Sequence, residues 1–268
     1  MLRQGLSYQF THAVVRKPAH SVVDGLRATD RGSPAFAKFE SEHGVYVKAL
    51  RHAGLKVTVL EAQEDYPDSV FIEDAALCLP EGVVLLRPGT PSRSGEPIEL
   101  ASELGRLGLV IHPHESGGFI DGGDILVTDS SVLVGLSRRT DRAGFEWISK
   151  LLQQWNYQVL AVETPPQVLH FKSDCCVVDS TTIMATSRLS GASCFSDFKV
   201  LTVPAGEEAA ANSIRVNDRL FIPAGFPKTS EMLAAAGYSI EAIPVTQPRL
   251  LDGGLSCMSL RFSQPPAA

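Results

Sequence analysis

A short phrase recurs along this chain: an apolar strand, a polar turn, a second strand and then, in most copies, a helix-like stretch. Repetition on that scale limits the folds open to a sequence, because one copy cannot bury its apolar face without its neighbours. The first copy is SVFIEDAALCLPEGVVLLRP from Ser69, turning at Pro80-Glu81-Gly82, and the second is GGDILVTDSSVLVGLSRR from Gly122. SDCCVVDSTTIMATSR from Ser173 turns at Asp179-Ser180, and NSIRVNDRLFIPAG from Asn212 turns at Asn217-Asp218. In each, Gly, Pro, Asn or Asp separates two β-rich runs, which is hairpin chemistry. A fifth copy opens at Ser256 with SCMSLRF and lacks a second strand, so the amino-terminal run Tyr8–Val15 is its natural partner.

Helical periodicity occupies Pro34–Ala53, Glu96–Leu107, Arg142–Trp155 and Ser230–Ala236, the first and last stopped by Gly54 and Gly237. Further strands are expected at Lys56–Leu60, Leu109–Ile111, Gln158–Val162, Lys199–Val203 and Ser239–Pro244. The result is a ββαβ unit repeating every roughly 40–55 residues. Five such units closed by the two chain ends make an α/β-propeller around a central channel, which leaves few open strand edges. No linker or low-complexity stretch divides residues 1–268, so one domain is expected, with a frayed tail SQPPAA.

Composition excludes several functions. With 24 Lys plus Arg against 30 Asp plus Glu, the net charge of −6 does not suit a nucleic-acid binder. The chain has no apolar run of about 18 residues and no secretory leader in MLRQGLSYQF, so a cytoplasmic protein with no membrane association is expected. The cysteines number five, an odd count without a spaced framework, which argues against a disulfide scaffold. Of these, Cys257 alone lies in a glycine-rich polar setting, where a thiol is a candidate nucleophile.

Residues heading propeller strands face the channel, and here their types are chemical. The first copy offers Asp68, Glu73 and Asp74, the second Asp121 and Asp124, the third His170, the fifth Asp252 and Cys257. Clustered carboxylates raise one another's pKa unless a cation intervenes. A guanidinium is one such cation: its planar fork pairs with carboxylates through parallel hydrogen bonds, and its charge favours a nearby thiolate. Blander readings stand beside these. Asp68 follows Pro67 in ordinary turn chemistry, His170 suits a strand end, and a single cysteine is commonly packing. Glu73-Asp74 resists such a reading, since adjacent charges inside an apolar strand run place at least one of them inward.

Together these segments resemble the dimethylargininase (dimethylarginine dimethylaminohydrolase) family, part of the guanidino-group-modifying superfamily with the pentein fold. The resemblance runs from SVVDGL (Ser21–Leu26) through YPDSVFIED (Tyr66–Asp74), RPGTPSRSGE (Arg87–Glu96), DGGDILV (Asp121–Val127), GLSRRT (Gly135–Thr140) and VLHFKS (Val168–Ser173) to DGGLSCMSLRF (Asp252–Phe262). It implies a five-bladed pentein α/β-propeller of ββαβ units that hydrolyses dimethylarginine, or monomethylarginine, to citrulline without a cofactor or metal. It further implies Cys257 as nucleophile, His170 as general acid and base, and Asp121 as the carboxylate orienting that histidine, where some relatives carry Glu. Glu73 and Asp74 would line the guanidinium end. Asp68 and the Leu26 carbonyl would meet the α-amino group, Arg93 and Arg139 the α-carboxylate, while Leu251 would contact substrate through its backbone.

Two rival readings use the same residues differently. An arginine deiminase would share the Cys/His pair, but relatives of that kind carry an extra helical domain that 268 residues over five units leave no room for. A non-catalytic metal binder could use His112, His114 and Glu115, although their Pro-containing loop reads better as solvated. Zinc caught between Cys257 and His170 would block the nucleophile. Vicinal Cys175-Cys176 reads as packing, since strand neighbours face opposite sides. The family resemblance is compatible with a homodimer, and the polar loop at residues 28–33 suits a mobile lid.

Overall fold

The computed structural model describes residues 3–115 and 117–263, so the expected fraying of the tail concerns residues outside those described, Ser263 apart. The chain begins with β1 (His12–Arg16), α1 (Phe36–His52) and β2 (Lys56–Leu60). The next unit is β3 (Ala76–Leu79), β4 (Gly82–Leu85), α2 (Glu96–Arg106) and β5 (Ile111–His112), followed by β6 (Ile125–Val127), β7 (Val132–Leu136), α3 (Arg142–Gln154) and β8 (Val159–Glu163). After these come β9 (Cys175–Asp179), β10 (Thr182–Ala185) and β11 (Lys199–Thr202), then β12 (Ile214–Val216), β13 (Arg219–Pro223), α4 (Pro227–Ala235) and β14 (Ile240–Ile243), and finally β15 (Leu260–Phe262).

These strands form five three-stranded sheets. Within β3-β4-β5 the first pair is antiparallel and the second parallel, and the units starting at β6, β9 and β12 repeat the pattern. The fifth sheet joins the two ends of the chain: β15 pairs antiparallel with β1 (His12 opposite Phe262, Val14 opposite Leu260), and β1 pairs parallel with β2. Initial strands of neighbouring sheets meet, β15 with β3, β6 with β9 and β9 with β12. The architecture is a five-bladed α/β-propeller.

Local chemistry explains most boundaries. The turn between β12 and β13 holds Asn217 at φ 55°, left-handed backbone that Asn tolerates. The turn between β9 and β10 closes on Asp179, whose Oδ1 accepts from the Thr181 amide at 2.8 Å. Helix α4 starts at Pro227, earlier than the periodicity from Ser230 indicates, because proline at the first turn gives up no hydrogen bond. Helix α3 ends at Gln154, since Asn156 turns left-handed at φ 61°. The strand expected at Leu109–Ile111 shifts to Ile111–His112, because Leu109 still bonds back to the end of α2 through the Leu104 carbonyl. The third unit has only the short 3-10 helix Ser193–Phe195 where the others have an α-helix.

One recurring detail positions the functional groups. Immediately before β3, β6, β9 and β12 lies a short 3-10 turn: Ile72–Ala75, Gly122–Asp124, Phe171–Ser173 and Glu208–Ala211, with Pro248–Leu251 opening the segment that leads to β15. Each turn carries at least one buried residue, the first two being buried throughout, and stops the chain at the head of an inner strand. The turns interlock tightly: a Cβ at Gly122 would fall 1.9 Å from the Glu73 carbonyl oxygen, so only glycine allows these two backbones to approach. Among the described residues no helix is long and apolar enough to cross a membrane.

Candidate active site

Cys257 sits between these turns on the segment joining Pro248–Leu251 to β15, and is 8% exposed. Its loop is held on several sides. The buried Tyr46 hydroxyl, from α1, reaches the Leu255 carbonyl at 3.0 Å and Ser259 Oγ at 2.6 Å. The Cys257 carbonyl accepts from the Glu73 amide at 3.1 Å. Arg261 donates to the Ser256 and Ser259 carbonyls at 3.2 and 3.0 Å. Burial pushes the thiol pKa up, the carboxylates of Glu73 and Asp74 add to this, and the Gly254 amide and Ser256 hydroxyl oppose it, with the balance at about 11.

His170 precedes the 3-10 turn Phe171–Ser173, and its Nε2 lies 3.0 Å from Asp121 Oδ2. Asp121 is fully buried and accepts from the Gly89 amide at 2.7 Å through its other oxygen. Asp124 supports the arrangement from below: it accepts from the Phe171 amide at 2.8 Å, Ser137 Oγ at 2.6 Å and Thr140 Oγ1 at 2.7 Å. Thr140 Oγ1 in turn accepts from the Asp121 amide at 3.1 Å, so one hydroxyl ties the Asp121 backbone to the Asp124 carboxylate. Burial alone would lower the His170 pKa, but Asp74, Asp124 and Asp121 outweigh it and raise it to about 9. At neutral pH the imidazole is therefore a cation able to donate a proton.

Leu26, Asp68, Asp74, Arg93, Arg139, His170, Leu251 and Cys257 line one small, tight pocket of about 40 Å³. Asp74 is 4% exposed; its Oδ2 receives Arg93 at 2.6 Å and its Oδ1 the Gly123 amide at 2.9 Å. Burial opposes its ionisation, yet His170 and Arg93 hold its pKa at about 2. At the other end Asp68 accepts twice from the Leu26 amide, at 3.0 and 3.2 Å, and burial raises its pKa against the pull of Arg93. Arg139 donates to Thr90 Oγ1 and stands 3.6 Å from Asp121.

Two expected residues are placed differently from their neighbours. Arg93 spends Nε and one terminal nitrogen on Glu96 at 2.8 and 2.7 Å, and that terminal nitrogen also meets the Phe71 carbonyl at 2.9 Å. With Asp74 on its remaining nitrogen, little of this guanidinium is free for a ligand. The Glu73 carboxylate borders the adjoining cavity, where Oε1 is shared by Lys172 at 2.7 Å and Arg261 at 3.0 Å. Its Oε2 is buried without a hydrogen-bond partner. Asp121 lies behind His170 and outside the pocket lining. Sequence reasoning passed over Lys172 and Asn212; the latter opens the fourth copy, and its position there was the available signal.

Among the described residues, Asp74, Asp121 and His170 are the group whose ligand atoms come within 4.8 Å of one another, as a metal site requires. Protein cations already balance these carboxylates, Arg93 on Asp74 and Arg139 near Asp121. His112 and His114 instead pack on Trp155 and Trp147, with ring centroids 4.7 and 4.0 Å apart.

Comparison with known proteins matches residues 34–187 to the family model described as N,N dimethylarginine dimethylhydrolase, eukaryotic. The chain is 35% identical over 255 residues to the N(G),N(G)-dimethylarginine dimethylaminohydrolase of Pseudomonas aeruginosa, covering 94% of this chain and 100% of that protein. A crystal structure of the Pseudomonas aeruginosa enzyme, a cysteine-to-serine mutant complexed with citrulline, superposes with a TM-score of 0.91 at 34% identity, over 95% of this chain and 100% of that one. A dimethylarginine dimethylaminohydrolase variant with histidine replaced by glycine, an adduct with S-methyl-L-thiocitrulline, also gives 0.91 at 34% identity, over 94% and 100%.

Proposed function

This chain belongs to the dimethylarginine dimethylaminohydrolase family, and from that premise we propose that it hydrolyses dimethyl-L-arginine, or monomethyl-L-arginine, to L-citrulline through a covalent intermediate on Cys257. The observation that carries this reading is the meeting in one pocket of a thiol, a cationic imidazole held by a buried carboxylate, and an ionised Asp74. The guanidinium lies against Asp74, and the unpartnered Glu73 Oε2 is a spare acceptor on the adjacent residue. At the amino-acid end, Asp68 and the Leu26 backbone take the α-amino group and Arg139 the α-carboxylate. Arg93, largely committed to Glu96 and Asp74, contributes charge and holds Asp74 in place. Leu251 meets the substrate through its backbone, and loop 28–33 covers it.

The chemistry balances with these groups alone. Arrival of the cation stabilises the thiolate, and the thiol proton leaves to solvent. Cys257 Sγ bonds to the guanidinium carbon, the C–N bond to the methylated nitrogen breaks, and His170 gives its proton to the departing amine. An S-alkylthiouronium remains. Neutral His170 then takes a proton from water, hydroxide adds to the same carbon, and the C–S bond breaks as the added hydroxyl loses its proton to solvent, releasing citrulline and thiolate. Clamping both ends of the substrate supplies the in-line geometry both steps require. We place this activity in a single domain acting in the cytoplasm, with neither metal nor cofactor, and as a homodimer.

The test is product analysis with dimethylarginine, monomethylarginine and arginine as competing substrates. Citrulline with dimethylamine is expected; citrulline with ammonia from arginine as the dominant reaction would favour a deiminase. The same assay carries a pH signature. With the free thiol at about 11 and His170 at about 9, the competent thiolate–imidazolium pair is scarce at neutral pH and grows as pH rises, so kcat/KM should climb between pH 6 and 9. Bound cation lowers the thiol pKa, so the rising limb of kcat should lie at lower pH than that of kcat/KM.

A further inference from the structure

Four of the five inner turns supply a group whose chemistry the proposed reaction uses, and the fourth unit supplies none. That unit does, however, reach the nucleophile. Asn212 follows the 3-10 turn Glu208–Ala211 and is 8% exposed. Its Oδ1 accepts from the Ser256 amide at 3.0 Å, and its Nδ2 lies 3.8 Å from Cys257 Sγ. The first contact fixes the second: an amide N–H requires an acceptor, so Oδ1 must face Ser256 and the NH2 group must face the sulfur. The side chain also lies flat on Gly254, where a Cβ would fall 2.4 Å from Asn212 Cγ and 2.6 Å from its Nδ2 and Oδ1. The second glycine of DGGLSC is thus needed for this amide to reach the sulfur at all.

We propose that Asn212 is a positioning residue for the nucleophile, donating an N–H from Nδ2 to the Cys257 thiolate while its Oδ1 clamps the Ser256 amide and so aims the sulfur. The inference rests on the reading of Cys257 as nucleophile. Its physical need is plain from the surroundings. The sulfur is faced by carboxylates, Glu73 and Asp74, on the turn before β3, and by His170 across the pocket from the turn before β9. Neutral donors near it are the Gly254 amide, the Ser256 hydroxyl, also 3.8 Å away, and the Asn212 amide. A thiolate forming between two carboxylates needs such donors, and a hydrogen bond to a charged acceptor is stronger than one to a neutral thiol. Asn212 does not line the substrate pocket, so its effect falls on the sulfur and not on binding.

The experiment follows the pH dependence of Cys257 alkylation by iodoacetamide, read on the Cys257 peptide by mass spectrometry, beside kcat and KM. Asn212→Asp keeps the shape and the Ser256 clamp but replaces the donor with an acceptor; Asn212→Ala removes both. In each the alkylation midpoint should move up by about one unit or more, kcat near neutral pH should fall about 10- to 100-fold, and KM should stay within about threefold. In the unaltered protein the side-chain NH2 resonances of Asn212 should titrate with the same midpoint as alkylation, which serves if the variants fold poorly. An unmoved midpoint in Asn212→Asp, or Asn212 resonances insensitive to Cys257 ionisation, would overturn the proposal. Cys257→Ser separates the two layers: retained turnover there would sink the covalent reading itself, whereas alkylation of Cys257 reports on Asn212 without any turnover.

Discussion

Cys257→Ser should lose citrulline formation by roughly four to six orders of magnitude in kcat, with dimethylarginine still bound. The size of the loss comes from the surroundings of the sulfur. A serine hydroxyl ionises far less readily than a thiol and needs a neighbouring base to take its proton. Here the neighbouring imidazole is already protonated at neutral pH, its pKa raised to about 9 by Asp74, Asp124 and Asp121 against the effect of burial. Glu73 and Asp74 would also oppose an alkoxide beside them, as they oppose the thiolate. Stopped assays of citrulline check the rate, and calorimetric titration with dimethylarginine checks that binding survives. A loss smaller than about a hundredfold would mean that the sulfur is not the attacking atom.

Arg93→Met should be the most destabilising single change near the site. The guanidinium is 3% exposed and pairs with two buried carboxylates, Asp74 at 2.6 Å and Glu96 at 2.7 Å. Methionine fills similar space but leaves both acids without their cation, which costs about 3–5 kcal/mol and lowers Tm on the order of 10 °C. The pH dependence has a definite sign. Asp74 has its pKa depressed from 3.8 to about 2, by His170 and Arg93 acting against burial. Its contribution is thus present above pH 3.8 and lost as pH falls towards 2. In the variant that depression is weakened, so the deficit in Tm should be large at pH 7 and shrink towards pH 3. Thermal unfolding by circular dichroism at both pH values tests this, and an equal deficit at the two would point to lost packing instead of lost charge.

The parts of this molecule legible in its sequence are those written in local pattern. Apolar, β-rich runs flanking Asn217-Asp218 or Asp179-Ser180 specify hairpins from neighbouring residues alone, and the unpartnered strand at Leu260–Phe262 calls for the amino terminus, which β1 supplies. Cys257, His170 and Asp121 were reachable because they head inner strands and recur in family motifs. What the sequence could not display is how buried polar groups are shared. Arg93 reads as a ligand-binding arginine until Glu96, three residues on, and Asp74, on another turn, occupy its fork. Glu73 reads as a pocket carboxylate until Lys172 and Arg261, from two other blades, share one of its oxygens. Asn212 and Cys257 are 45 residues apart, and only the packing of one blade against the next brings them together. The two-residue strand β5 is set by where the α2 cap releases the chain.

The covalent step is the centre of this account, and acid-quenched mass spectrometry of the enzyme during turnover of dimethylarginine addresses it directly. Rapid quenching should trap a fraction of the protein carrying the substrate minus dimethylamine, the label should map to the peptide containing Cys257, and it should decay as citrulline accumulates. Citrulline formation with no such adduct at any quench time, or an adduct on another residue, would contradict it.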